Sequence, residues 1–106
     1  MTTLDPEDSK IITLARAARA RNGSAEGAAV RDETGRTYSA TNVALDALTL
    51  SAVQVAVAMA ISSGAKSLEA VALVGEGAPS PADEAAAAEL GVAKVLVAGP
   101  DGTLRG

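Results

Sequence analysis

Apolar and polar positions change their spacing several times along the chain, and each change marks an element. In residues 5–21 the apolar set Ile11, Ile12, Leu14, Ala15 and Ala18 recurs at helical spacing and predicts one buried stripe. Asp5 before Pro6 reads as an N-cap with proline at the first helical position. Asp8 is placed to complete a capping box, and Asn22-Gly23-Ser24 supplies the stop. Residues 27–31 and 36–43 then read as two short strands joined by Asp32-Glu33-Thr34-Gly35, a hairpin pattern. In the second, Tyr38, Ala40 and Asn42 alternate with Thr37, Ser39 and Thr41.

From residue 48 to 63 the pattern predicts a helix with almost no polar face: Val53, Val55, Ala56, Val57, Met59, Ala60 and Ile61 ask for cover on more than one side. Gly64 ends it. Residues 68–74 and 94–98 are near-continuous apolar runs of strand length, separated by a Gly/Pro-rich loop and an Ala-rich helix over 82–90. A strand, a helix and a strand with short connections form a βαβ unit with parallel strands. The predicted order is α-β-β-α-β-α-β. It implies an α/β fold of three α-β-α layers, a mixed sheet whose first pair is an antiparallel hairpin and whose later strands are parallel. With 106 residues this is one domain over 1–106, and residues Thr103 to Gly106, after a Gly-Pro-Asp-Gly turn, read as a flexible tail.

Composition restricts the chemistry. The chain has no Cys, His, Trp or Phe and one Tyr, so it offers no thiolate or imidazole for catalysis or for metal, and no metal or cofactor is expected. Nine Lys plus Arg against thirteen Asp plus Glu give a net charge of −4, which argues against nucleic acid or an anionic membrane as partner. Arg16, Arg19 and Arg21 fall near the end of the first helix, where cations complement the helix dipole. The N-terminus lacks a basic region followed by an apolar run, and no apolar stretch reaches the ~20 residues of a membrane span. The expected location is the cytoplasm.

Local motifs read as structure. Gly75-x-Gly77 between strand and helix is an incomplete phosphate cradle, since Ser80 stands where a third glycine would be. Ser80-Pro81-Ala82-Asp83-Glu84 has the parts of a helix start, and Ser51 is placed to cap the other late helix. Neither serine has a histidine to activate it. Asp32, Glu33, Asp83, Glu84 and Glu89 are expected to be solvated turn and helix-surface acids.

The stretch Gly27-Ala28-Ala29-Val30-Arg31-Asp32-Glu33-Thr34-Gly35-Arg36-Thr37-Tyr38-Ser39-Ala40-Thr41-Asn42-Val43 resembles the small cytidine deaminase family, as do Leu48-Thr49-Leu50-Ser51-Ala52-Val53 and Pro79-Ser80-Pro81-Ala82-Asp83. The resemblance runs over roughly residues 5–102. It implies a zinc nucleoside deaminase scaffold in which two helix starts supply thiolate ligands and a glutamate moves the proton. At the matching positions this chain has Ser51, Ser80 and Asp83 for the ligands and Val53 for the glutamate, while Ala44 replaces a ribose-binding acid. Of the nucleoside contacts only Asn42 remains, and the family's C-terminal segment is absent after Gly106. The resemblance thus implies a degenerate member: a non-catalytic, zinc-free binding or assembly module. A nucleoside sensor, or residual cytidine deaminase activity through a non-standard site, is the alternative. A homo-oligomer, dimer or tetramer, is expected from the family and from the apolar helix, with a pyrimidine nucleoside as the candidate ligand. The sequence names no partner protein.

Overall fold

The computed structural model describes residues 5–105. Helix α1 (Pro6–Asn22) is entered as the sequence predicts. The Asp5 carboxylate accepts the Glu7 N–H at 2.8 Å, and Gly23 closes the helix at φ 62°, a left-handed turn that suits glycine. Asp8 does not complete a capping box. Its carboxylate instead accepts from Arg31 Nη2 at 3.1 Å, and Glu69 takes Arg31 Nε at 3.0 Å, so a partly buried guanidinium ties α1 to the sheet.

The main sheet has the order β2-β1-β5-β6-β7. Strand β1 (Glu26–Asp32) runs antiparallel to both β2 (Thr37–Thr41) and β5 (Leu68–Gly75), and β5 is parallel to β6 (Leu96–Ala98). α1 covers one face, packing Ile11, Ile12 and Ala15 on Ala29, Ala72 and Val74. α2 (Ala52–Ser62) and α3 (Pro81–Glu89) cover the other, over Ala28, Val30, Val71 and Leu73. The three layers and mixed sheet are as the sequence predicts.

The strands expected over 36–43 and 94–98 are shorter, at Thr37–Thr41 and Leu96–Ala98, and two larger departures from the sequence pattern change the element order. The helix expected from residue 48 starts at Ala52, because Ser51 sits in extended geometry (φ −72°, ψ 161°) and caps it. Residues before it pair instead: β3 (Val43–Ala44) and β4 (Thr49–Leu50) form a separate antiparallel hairpin, closed by the Leu45 N–H on the Leu48 carbonyl at 2.8 Å. Nor is the segment from Thr103 a tail throughout. β7 (Leu104–Arg105) pairs antiparallel with β6, since the turn from Gly99 to Gly102 reverses the chain and Gly102 takes φ 86°. Gly106 lies outside the described residues.

Asp32 corrects another expectation. It is buried, not solvated, and holds the first hairpin: Oδ1 accepts from the Thr34 N–H, the Thr34 hydroxyl and the Arg36 N–H at 2.7–3.0 Å, and Oδ2 from the Tyr38 hydroxyl at 3.0 Å. Burial pushes this carboxyl up, but the donors from Thr34, Arg36 and Tyr38 outweigh it and hold the pKa below the ordinary value. The folded pKa lies under the unfolded value of about 4, so the stabilisation is complete above that pH and is lost as pH falls through the folded value. Asp32→Asn is therefore expected to lower the urea midpoint at neutral pH and to lose much of its deficit in strong acid. Equal deficits at both pH values would overturn this.

Candidate functional site

Ser51 and Ser80, twenty-nine positions apart in sequence, stand at the starts of α2 and α3, and Asp83 joins them. Each serine completes a capping box. Ser51 Oγ accepts the Gln54 N–H at 3.1 Å while Gln54 Oε1 accepts the Ser51 N–H at 2.9 Å. Ser80 Oγ accepts the Asp83 N–H at 3.1 Å, and Asp83 Oδ2 accepts the Ser80 N–H at 3.1 Å. The remaining oxygen, Asp83 Oδ1, accepts the Ser51 hydroxyl proton at 2.5 Å. Both carboxylate oxygens of Asp83 are thus taken, one by each helix start.

Asp83 is 1% exposed, against the expectation of a solvated helix-surface acid. Its burial follows from its place at the third residue of α3, facing the other helix start, where hydrogen bonds replace water. Val53 is completely buried in the core beneath α2. The other acids of that prediction divide: Glu84 and Glu89 are exposed, and the exposed Glu33 accepts from the Lys66 and Ser67 N–H groups.

Two further side chains reach this place. Glu26, at the start of β1, accepts the Ala52 N–H through Oε1 at 3.2 Å, covering one of the unpaired donors at the α2 N-terminus. Its own N–H donates to Asn42 Oδ1 at 3.1 Å, so Asn42 is bound to backbone on its carbonyl side. Asn42, the nucleoside contact expected from the resemblance, thus holds the start of β1, and sequence reasoning missed Glu26 and Gln54. The Ser-x-x-Gln spacing was a usable signal for Gln54. Glu26 had none, because its contact spans twenty-six positions of a fold not yet formed. Gly75-Glu76-Gly77 offers no phosphate cradle: its carbonyls converge on the Arg105 guanidinium, at 2.7 Å for Gly75, 3.3 Å for Glu76 and 2.8 Å for Gly77. Two clefts of about 330 and 220 Å³ are lined by other residues, not by Asn42, Ser51, Ser80 or Asp83.

The family model described as cytidine deaminase-like matches residues 4–102. The chain belongs to that family. Solved relatives share its fold. A cytidine deaminase from Burkholderia pseudomallei is 27% identical with a TM-score of 0.76, over 91% of this chain and 87% of that one. One from Mycobacterium tuberculosis is 25% identical with a TM-score of 0.73, over 95% and 90%. One from Mycobacterium leprae, 22% identical with a TM-score of 0.72 over 95% and 93%, is similar in fold. No curated protein matches the sequence. Among the described residues of this family member no helix is long and apolar enough to cross a membrane.

Proposed function

We propose that the chain is a zinc-free, non-catalytic member of the cytidine deaminase-like family, working as a homo-oligomeric binding or assembly module. The observation that carries this reading is the Ser51–Asp83–Ser80 cluster. The resemblance sets these three residues at the metal-ligand positions, and the chain spends them on capping two helices and on each other. Zinc sites of this type take thiolate or imidazole. Here the donors are two hydroxyls and one carboxylate whose two oxygens already accept hydrogen bonds, so the residues present do not fit zinc. Among the described residues no group of three or more acidic residues is placed to hold a metal ion. Hydrolytic deamination also needs a group that carries a proton to the leaving amine. Val53, at that position by resemblance, is an apolar core residue.

The oligomer is supported by α2. Its sequence contains no charged residue, yet Met59 and Ile61 are 41% and 43% exposed. A charge-free exposed helix face fits a contact between copies. The expected result for the purified protein is less than a tenth of an equivalent of zinc by elemental analysis, no loss of cytidine absorbance with added zinc, and sedimentation as a dimer or larger at micromolar concentration. Stoichiometric zinc or measurable turnover overturns the non-catalytic reading; a monomer overturns the assembly part.

A second reading, a nucleoside sensor, is favoured by one observation: solved relatives of 25% and 27% identity are cytidine deaminases over most of this chain. Asn42 is the residue left to contact such a ligand. A rise in melting temperature with cytidine or uridine, absent in Asn42→Ala, separates it from pure assembly, because a ligand bound to the folded state alone must raise the midpoint.

A further inference from the structure

We infer that the cleft between α3 and the β6–β7 edge binds a small organic anion with an apolar body. The cleft measures about 330 Å³, near the lower size of small-molecule sites, and Val95 and Val97 give it an apolar floor. Val97 and Arg105 are register partners across β6 and β7, so their side chains share this face. The Arg105 guanidinium is held in place by the three carbonyls of Gly75, Glu76 and Gly77. Neutral acceptors fix its orientation without cancelling its charge.

Lys94 brings a second cation to the lining, and Glu84 is its single acid. Ion pairs among the described residues are those of Arg31 with Asp8 and Glu69, so neither Lys94 nor Arg105 has a carboxylate partner within 4.0 Å among the described residues. In a chain of net charge −4 this cleft therefore presents a local excess of positive charge beside apolar surface. Such a combination attracts an anion and gives its hydrocarbon part somewhere to lie. The 220 Å³ cleft on α1 lacks this balance: Arg16 is matched in its lining by Asp101, whose carboxyl the Thr103 hydrogen bonds, and to a lesser degree Arg16, hold below the ordinary carboxylate range.

The test is titration with 8-anilinonaphthalene-1-sulfonate, an aromatic sulfonate, and with neutral N-phenyl-1-naphthylamine, followed by fluorescence. One saturable sulfonate site per chain is expected. Lys94→Glu reverses an exposed charge and weakens binding about tenfold, Ala93→Trp fills the exposed wall and abolishes it, and Glu84→Gln strengthens it. The neutral probe binds more weakly than the sulfonate. Absence of binding, equal affinity for the two probes, or affinities unchanged by Lys94→Glu and Ala93→Trp overturns the proposal. These substitutions do not touch Ser51, Ser80 or Asp83, so the result stands apart from the zinc-free reading.

Discussion

Gly27→Ala is expected to destabilise the protein by about 3 kcal/mol, in the upper range of overpacked sites, and to lower Tm by roughly 10–20 °C. A Cβ at Gly27 would lie 2.0 Å from the Ala15 carbonyl oxygen and 2.9 Å from Arg19 Cβ. The first obstacle is backbone in the middle of α1, which cannot step aside as a flexible side chain does. Either α1 lifts from the sheet or β1 shifts its register. Lifting α1 opens the cluster of Ile11, Ile12, Ala15, Ala29, Ala72 and Val74, while shifting β1 disturbs its pairing with both β2 and β5. Gly77→Ala is the control, since its Cβ meets nothing within 4 Å. Thermal unfolding of the two variants side by side decides it: a Gly27→Ala midpoint equal to that of the control overturns the account.

Gly27 also shows what kind of information a sequence holds. The Gly-Ala-Ala run was legible as the start of a strand and as part of the resemblance, but the need for glycine was not. It arises from a helix axis passing over that residue, which is a fact of packing. The elements that follow local rules were legible for the same reason: Asp5-Pro6 with Gly23 bounds α1 and Ser-Pro-x-Asp starts α3, whereas the Ser-x-x-Gln start of α2 was a local signal left unread. Short strands fail that test. β3, β4 and β7 have two residues each, too few for any period to register, and exist through their turns and partners.

Acids were misread for a related reason. Asp32 in a turn and Asp83 on a polar helix start look like solvated residues when only neighbours in sequence are considered. Each is buried because donors from elsewhere converge on it, Tyr38 across the hairpin on Asp32 and Ser51 from another helix on Asp83. Composition was still decisive. Without Cys or His, the positions where two helix starts meet had to be satisfied by oxygen, and an acid that accepts from both sides is the group that does it.

That convergence leads to the largest expected effect. A Ser51→Cys, Ser80→Cys, Asp83→Cys variant is expected to bind one zinc ion per chain with a Kd of roughly nanomolar or tighter, while the parent takes up none at micromolar metal. The direct Ser51–Asp83 bond brings the first and third positions together, and the Ser80–Asp83 capping box brings the second, so three thiolates placed there face a common point from two helix starts. In the metal-free variant the cross-helix bond and part of both caps are gone, at about 1 kcal/mol for each cap, so its Tm falls below that of the parent. Zinc at a thousandfold excess over Kd then returns about 4 kcal/mol. The readouts are competition against 4-(2-pyridylazo)resorcinol and melting curves with and without zinc; should the metal-free chain be unfolded, far-UV circular dichroism follows folding on zinc addition. Ser51→Cys alone, with the carboxylate and second hydroxyl retained, is expected to stay metal-free. A triple variant that folds yet takes up no zinc shows that the three positions do not converge on a ligand site, and the assignment of Ser51, Ser80 and Asp83 to former metal-ligand positions falls.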